Sequence, residues 1–566
     1  MSSPYGSGTV VDTSFTPVPQ ECRRILHELA TKTPGFTQDE ALLDGVDFVG
    51  HDLPCIPGPI KSVAFTAVLH AMAGIIGHEI LELRGIKTNK KTSINTDQAG
   101  LYLASPCTVS IDGADGPDAL KAPNILDLSG GAVNSPLVLR SQAIYPTKTP
   151  NVWFQLHGST NPWPVLATMG VDPHAPVKTG DEGYEIIKNQ MIKYTARDLE
   201  MIMMEHGFAG SIVYSPEDWL KIRPAQILAL HPLINYNKVP LSSGMPAPAF
   251  TGTSADDKRP LAGTKVLELA RIIAAPACGM TLAAMGAEVV RVQTDKLVDF
   301  VPAQLSLMAG KAAYKLDIND EEDKKILMDL MSEADVIIQG YRLRSLERRG
   351  FGLDVCLEMA AKRGKGIVYL DENCYGPDGY YAERPGWQQV ADACAGSSYV
   401  MGKAFGYPEG QGILPSLPIS DMSTGIMSAV TILSMVRDRA RYGGSWHGTA
   451  SLAAYNAMTL QPWIGLYQPG IVSKIQDRFD FKVWGSDIHV IELYYAIYYA
   501  WKNSGKKSGD LIRNEDLFVH FNNSAFGKDL RILAPIVRYD DKASSPHWTN
   551  PPVPFCWHKG PKWGGI

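Results

Sequence analysis

The segment LAGTKVLELARIIAAPACGMTLAAMGAEVVRVQ, Leu261 to Gln293, decides the fold. It opens on an apolar strand, Lys265 to Leu269. A small-residue turn follows at Ala274-Ala275-Pro276-Ala277, and then a helix rich in Ala, Gly and Met; a second strand, Ala287 to Val292, closes the unit. Strand, turn, helix and strand within about 30 residues make a βαβ unit, and the N-terminus of its helix can face a phosphate-bearing ligand. No GxGxxG fingerprint is present, and the second strand ends on Gln293 rather than on an acidic residue. A nicotinamide-dependent oxidoreductase is therefore a poor expectation.

Working outward, the alternation continues downstream. Helices are expected at 320–334, 354–362, 390–395 and 423–439, and strands at 336–339 and 367–370. This is the pattern of an α/β fold, a parallel, doubly wound sheet. Upstream, 65–83 reads as an amphipathic or buried helix, and 196–206 as a helix capped by Gly207. A strand at 211–214 then leads into a helix opened by Ser215-Pro216. The Pro-, Ser- and Asp-rich stretch 246–260 is read as a linker. The last 70 residues offer one helical patch, 490–501, and a Pro- and Trp-rich tail expected to wrap over another surface. An internal echo links 65–85 to 423–444 in length, small-residue content and a terminal Arg-Gly or Arg-Tyr-Gly. Chance likeness of two Ala-rich helices and a degenerate duplication both account for it.

At 566 residues the chain exceeds one core, so two or three domains are expected. A net charge of −6 leaves no electrostatic footprint for nucleic acid. The eight cysteines contain no CxxC pair, so neither a zinc site nor a disulfide framework is expected. The N-terminus lacks the basic-then-apolar pattern of a secretory signal. The longest apolar stretch, 64–76, is about half a membrane span and contains His70. The C-terminal Gly-Gly-Ile is not a peroxisomal address. A cytoplasmic protein with no membrane association is the expectation.

Four segments in order, the βαβ unit, ADVIIQGYRLRSLERRGFGLD (334–354), GPDGYYAERPGWQQVADACAG (376–396) and LPISDMSTGIMSAV (417–430), resemble the class III CoA-transferases. That family includes formyl-CoA and carnitine CoA-transferases and α-methylacyl-CoA racemases. The resemblance covers about residues 261 to 460, and residues 60–240 are similar to a degenerate copy of the family's later half. It implies a Rossmann-like large domain with a parallel sheet, a small α/β domain and an interlocked homodimer. The expected layout is a degenerate N-terminal lobe (1–245), the linker (246–260), a CoA-binding and catalytic domain (261–470), and a C-terminal helix with its arm (471–566).

The same resemblance assigns roles. Asp421 stands where the family places the carboxylate that attacks an acyl-CoA thioester, forming a mixed anhydride and then an aspartyl-CoA thioester. A desolvated, pre-positioned carboxylate can split one exchange into two steps in this way. Taken alone, Asp421 ahead of a helix reads first as its N-cap. Ser423 offers a nearby hydroxyl, and Trp387 and Gln388 are expected to line the acyl site. Coenzyme A is expected against Ile272 and Ala274 in the first βα turn, Lys311, Tyr341, Arg342 and Arg348, since Lys and Arg suit its phosphates. No metal is expected. Trp387 and Gln388 replace the racemases' histidine and carboxylate, and neither exchanges a proton at neutral pH, so racemisation is not implied. Ser420 replaces a glycine, and no Gly-rich lid lies between 440 and 500. The sequence thus supports a CoA-transferase acting on an acyl-CoA and a carboxylic acid, with a repurposed acyl-CoA binder as the alternative. The polar stretch QLHGSTNPWP (155–164) reads equally as a substrate or subunit-contact loop and as a structural turn.

Overall fold

The computed structural model describes residues 3–131, 135–242, 244–250, 257–505 and 510–565. Its centre is a seven-stranded sheet. In chain order the strands are β1 (Asn235–Lys238), β2 (Lys265–Leu269), β3 (Glu288–Gln293), β4 (Lys311–Lys315), β5 (Val336–Gln339), β6 (Val368–Asn373) and β7 (Trp446–Ser451). Their order across the sheet is β4-β3-β2-β5-β6-β7-β1; only β1 runs antiparallel to its neighbour. β2 to β7 alone therefore follow the doubly wound order 3-2-1-4-5-6, with the direction of winding reversing between β2 and β5. β5 is buried at all four positions, Val336-Ile337-Ile338-Gln339, as expected of a parallel strand covered on both faces. The α/β expectation is met.

Four helices position the site: α1 (Ser62–Leu83), α2 (Ala274–Ala284), α3 (Gln388–Cys394) and α4 (Ile419–Tyr442). α2 is buried along its whole length. It lies so close to α4 that a Cβ on Gly425 would come within 2.6 Å of the Ala274 carbonyl oxygen, which is why glycine stands there. α1 and α4 are long and apolar enough to cross a membrane, yet both are core helices, enclosed by protein. They pack side by side and run in parallel. Thr66 and Ser423 share a hydrogen bond of 2.9 Å near their starts, and Arg437 donates to Glu79 at 2.8 Å near their ends. Each is followed by a strand and a short helix: Thr92–Asn95 and Thr96–Tyr102 after α1, β7 and Leu452–Thr459 after α4. The two echoing segments thus build the same local succession.

The expected lobes share one core rather than each having its own. A single cluster of buried apolar side chains runs from Tyr5 to Phe555. Residues 471–566 are more than a helix and an arm. They include strands Phe518–Asn522, Asp529–Leu533 and Val537–Tyr539, which the sequence reading did not anticipate. Val537–Tyr539 pairs with Thr92–Asn95, and Leu530 and Arg531 pair with Ile111 and Ser110. A small α/β unit does carry its own core: Ile144–Pro146, Trp153–His157 and Ala209–Ile212, with helices Gly180–Met191 and Ala196–His206. Of the expected linker, 251–256 lie outside the described residues; 246–250 and 257–260 form neither helix nor strand. The tail crosses the open edge of the sheet: the His558 N–H donates to the Ala313 carbonyl in β4 at 2.8 Å, and Trp563 Nε1 to Leu330 at 3.1 Å. Covering an edge strand removes a template for aberrant pairing.

Candidate active site

The winding reversal between β2 and β5 opens a crevice at the carboxyl ends of the strands, where doubly wound sheets take their ligands. A cleft of about 490 Å³ occupies it. Its walls are the chain segments that leave the sheet: Arg271 to Ala274 after β2, Gly340 to Arg342 after β5, Glu372 to Cys374 at the end of β6, and Leu452 after β7. Asp421, from the first turn of α4, is also in the wall.

Part of the wall of this cleft is cationic. Arg271, Arg342 and Arg348 line it, and none has a carboxylate partner among the described residues. Partial burial holds the Arg342 guanidinium below its ordinary pKa, and the charges of Arg271 and Arg348 push the same way. Three mutually repelling guanidiniums around one space suit a polyanion, since phosphate would relieve the repulsion and accept their N–H groups. Tyr341 adds an aromatic face beside them.

The β2–α2 turn below them is strained. Ile272 adopts a φ of +71°, a left-handed conformation that a β-branched residue rarely takes. Its backbone N–H donates to Asp299 at 2.8 Å. Asp299 pairs in turn with buried Arg291 at 2.8 Å, Arg291 with Glu268 at 3.1 Å, and Glu268 with Lys311 at 2.6 Å. This run of two cations and two anions under the turn sets the place of Lys311. Its ammonium is fully enclosed, donates to Glu268 and to the Pro276 carbonyl, and does not reach the cleft. Burial brings its pKa down to about 8. The structure therefore corrects the expectation for Lys311: it is an internal cation supporting the turn, not a phosphate ligand.

The cleft wall also holds carboxyls. α4 begins at Ile419, so Asp421 is inside its first turn and is not its N-cap. Asp421 is partly open to the cleft and otherwise enclosed. Burial, with the nearby charge of Asp392, pushes its pKa up to about 8. Asp392 lies behind it, fully buried and held by Ser420 at 2.8 Å, Asn456 at 3.0 Å and the Gln388 amide. Burial raises Asp392 to about 7 against the pull of those bonds. Glu372 faces the cleft from β6 and is raised well above the usual carboxylate range by burial and then by Asp421.

The wall above the carboxyls comes from both halves of the chain. Trp387 lies just ahead of α3 and donates from Nε1 to Ser159 Oγ at 3.0 Å. Its ring stacks on His157 at 5.7 Å. The Ser159 N–H donates to His157 Nδ1, which leaves Nε2 to donate to Gln389 at 3.0 Å. Ser159 and Thr160 reach the cleft, so QLHGSTNPWP contributes to the site.

Of the residues singled out from sequence, the cleft gathers Asp421, Ile272, Ala274, Tyr341, Arg342, Arg348 and Trp387. Three others lie elsewhere. Lys311 is spent on Glu268. Gln388 is buried and turned to Asp392. Ser423 is buried against Thr66 between α1 and α4. Arg271 and Glu372 went unread; the first lies two residues after β2, and the second is one of the polar residues Asp371, Glu372 and Asn373 that close the buried strand β6.

Comparison with known proteins agrees with this geometry. The family model described as CoA-transferase family III matches residues 261–482. An acyl-CoA transferase of Gibberella moniliformis (strain M3125 / FGSC 7600) is 57% identical over 98% of this chain and 97% of its own length. The acetyl-coenzyme A transferase nodX of Hypoxylon pulicicidum is 31% identical over 88% of this chain and 85% of its own. A CAIB/BAIF family crystal structure from Brucella suis is 26% identical over 35% of this chain and 55% of its own, with a TM-score of 0.30, too low an overlay to argue from. The chain belongs to CoA-transferase family III and is a transferase enzyme.

Proposed function

We propose that the enzyme moves CoA from an acyl-CoA to a carboxylic acid through an acyl intermediate on Asp421. The observation that carries this reading is one cleft lined both by Arg271, Arg342 and Arg348, which have no carboxylate partner among the described residues, and by the half-open, enclosed carboxyl of Asp421. Arg342, Arg348 and Arg271 would hold the phosphates of CoA, and the pantetheine arm would bring the thioester to Asp421. Attack by the Asp421 carboxylate on the thioester carbon expels CoA thiolate and leaves a mixed anhydride. Return of the thiolate to the Asp421 carbonyl releases the first acid and leaves aspartyl-CoA. The incoming acid then repeats the two steps in reverse. Enclosure keeps water from the anhydride and leaves the carboxylate poorly solvated, which makes it a better nucleophile. The names of the relatives and the family match support acyl-CoA as the donor.

Incubation with acyl-CoA followed by hydroxylamine or borohydride should modify Asp421, read by peptide mass spectrometry, and Asp421→Ala should abolish turnover. Full activity in Asp421→Ala would refute the reading. Pairing a panel of acyl-CoA donors with carboxylate acceptors identifies the acids. A homodimer located in the cytoplasm completes the proposal, and light scattering of the purified protein tests the assembly.

A further inference from the structure

We propose that Glu372 is the proton donor and acceptor for the sulfur of CoA, a role that rests on Asp421 being the nucleophile. Glu372 is the penultimate residue of β6 and lines the same cleft as Asp421, on the side of the β2–α2 turn. It has no ion-pair partner among the described residues. The Ala275 backbone N–H, in the first turn of α2, is the neighbouring polar group that favours its charged form. The other titratable groups influenced by its charge are the buried thiols of Cys278 on α2 and Cys374 two residues on, both held protonated by burial. A carboxyl enclosed in this way carries its proton while Asp421 is charged, because two anions cannot share so dry a space.

The transfer balances. The Asp421 oxygen forms a C–O bond to the thioester carbon, and the C–S bond breaks with its electron pair going to sulfur. The Glu372 proton moves to that sulfur, giving CoA thiol, neutral acylated Asp421 and ionised Glu372. The site holds one negative charge before and after. Acylation removes the very charge that kept Glu372 protonated, so its acidity rises at the moment the leaving group needs a proton. The Ala275 N–H, at the positive end of α2, steadies the new carboxylate. When the thiol attacks the anhydride, Glu372 takes the proton back, and no proton is exchanged with solvent.

The test is single-turnover acylation of Asp421, trapped as the hydroxamate, in wild type, Glu372→Gln, Glu372→Asp and Asp421→Asn. Each is offered an acyl-CoA and the S-phenyl thioester of the same acid, whose thiolate departs without a proton. Glu372→Gln keeps the shape of the neutral group; its CoA affinity by calorimetry should match wild type. Its acylation from acyl-CoA should fall about a hundredfold, within the usual range for proton transfer. With the S-phenyl thioester it should come close to the wild-type rate, and Glu372→Asp should retain part of the activity with acyl-CoA. An equal loss with both thioesters, or no loss with either, would overturn the proposal. Loss of CoA affinity in Glu372→Gln would also overturn it, by making Glu372 a structural residue. Acylation of Asp421→Asn at the wild-type rate would instead refute the nucleophile, a different outcome from failure at Glu372.

Discussion

In the proposed mechanism the attack needs Asp421 ionised, and burial works against that. With its pKa pushed up to about 8 by burial and Asp392, the acylation rate should climb with pH and level off above that value. A pH profile of single-turnover acylation checks this; a rate already flat from pH 6 would contradict it. The same burial sets the dependence of stability. A carboxyl whose folded pKa lies above its unfolded value binds a proton more tightly when folded, so the stability it contributes is complete below the unfolded value. That contribution is lost as pH rises through about 8. Asp421→Asn should therefore gain in melting temperature relative to wild type as pH is raised across that window, while losing activity. Differential scanning calorimetry at several pH values reads the trend. The family resemblance singled out Asp421 in the sequence, and the structure places it in the wall of the cleft. Its perturbation was not legible, because burial comes from the whole fold and Asp392 reaches it from another element.

At the scale of elements, the β2–α2 turn and the start of α4 hold the two ends of the chemistry. The ion network under Ile272 sets the first. Lys311→Met should leave Glu268 without its closest cation and destabilise the protein by about 3–5 kcal/mol, the usual effect of breaking a buried pair. Arg348→Ala should instead raise KM for acyl-CoA about tenfold, with kcat and melting temperature little changed. Steady-state kinetics beside thermal melts separate the two. Gly425 sets the second end. Gly425→Ala would force α4 off α2 and should destabilise by about 1–3 kcal/mol and lower kcat. The strands and helices of the sheet were readable because apolar runs end at clear punctuation, as at Asp335 and Gly340 around β5. Lys311 was misread for a concrete reason: its partner Glu268 lies 43 residues earlier, and nothing local announces the pair. The start of α4 was missed because Pro418 sits at its N-cap and Ser420 and Asp421 resemble loop residues.

Over the whole molecule, the N-terminal half helps to build the cleft. It gives the sheet β1, packs α1 along α4, and brings Ser159 and Thr160 to the cleft. A fragment restricted to 261–482 should not fold, since it would expose the face of α4 that α1 covers. Circular dichroism and gel filtration of that fragment decide the point; a soluble, cooperatively melting fragment would contradict it. Activity per chain should stay constant on dilution, because both walls of the cleft belong to one chain. This organisation was only half legible, because strands such as Val537–Tyr539 find their partners in segments hundreds of residues away.

That last pairing bears on how the protein is made. Thr92–Asn95 emerges from the ribosome hundreds of residues ahead of Val537–Tyr539, one of its two neighbours. The strap over β4 comes later still. Neither edge can close until those distant segments have been made, and contacts that distant in sequence form slowly. The growing chain therefore carries an open edge at Thr92–Asn95 over hundreds of residues of synthesis, joined by a second once β4 has been made, a state in which chaperones rather than early domain folding govern the yield.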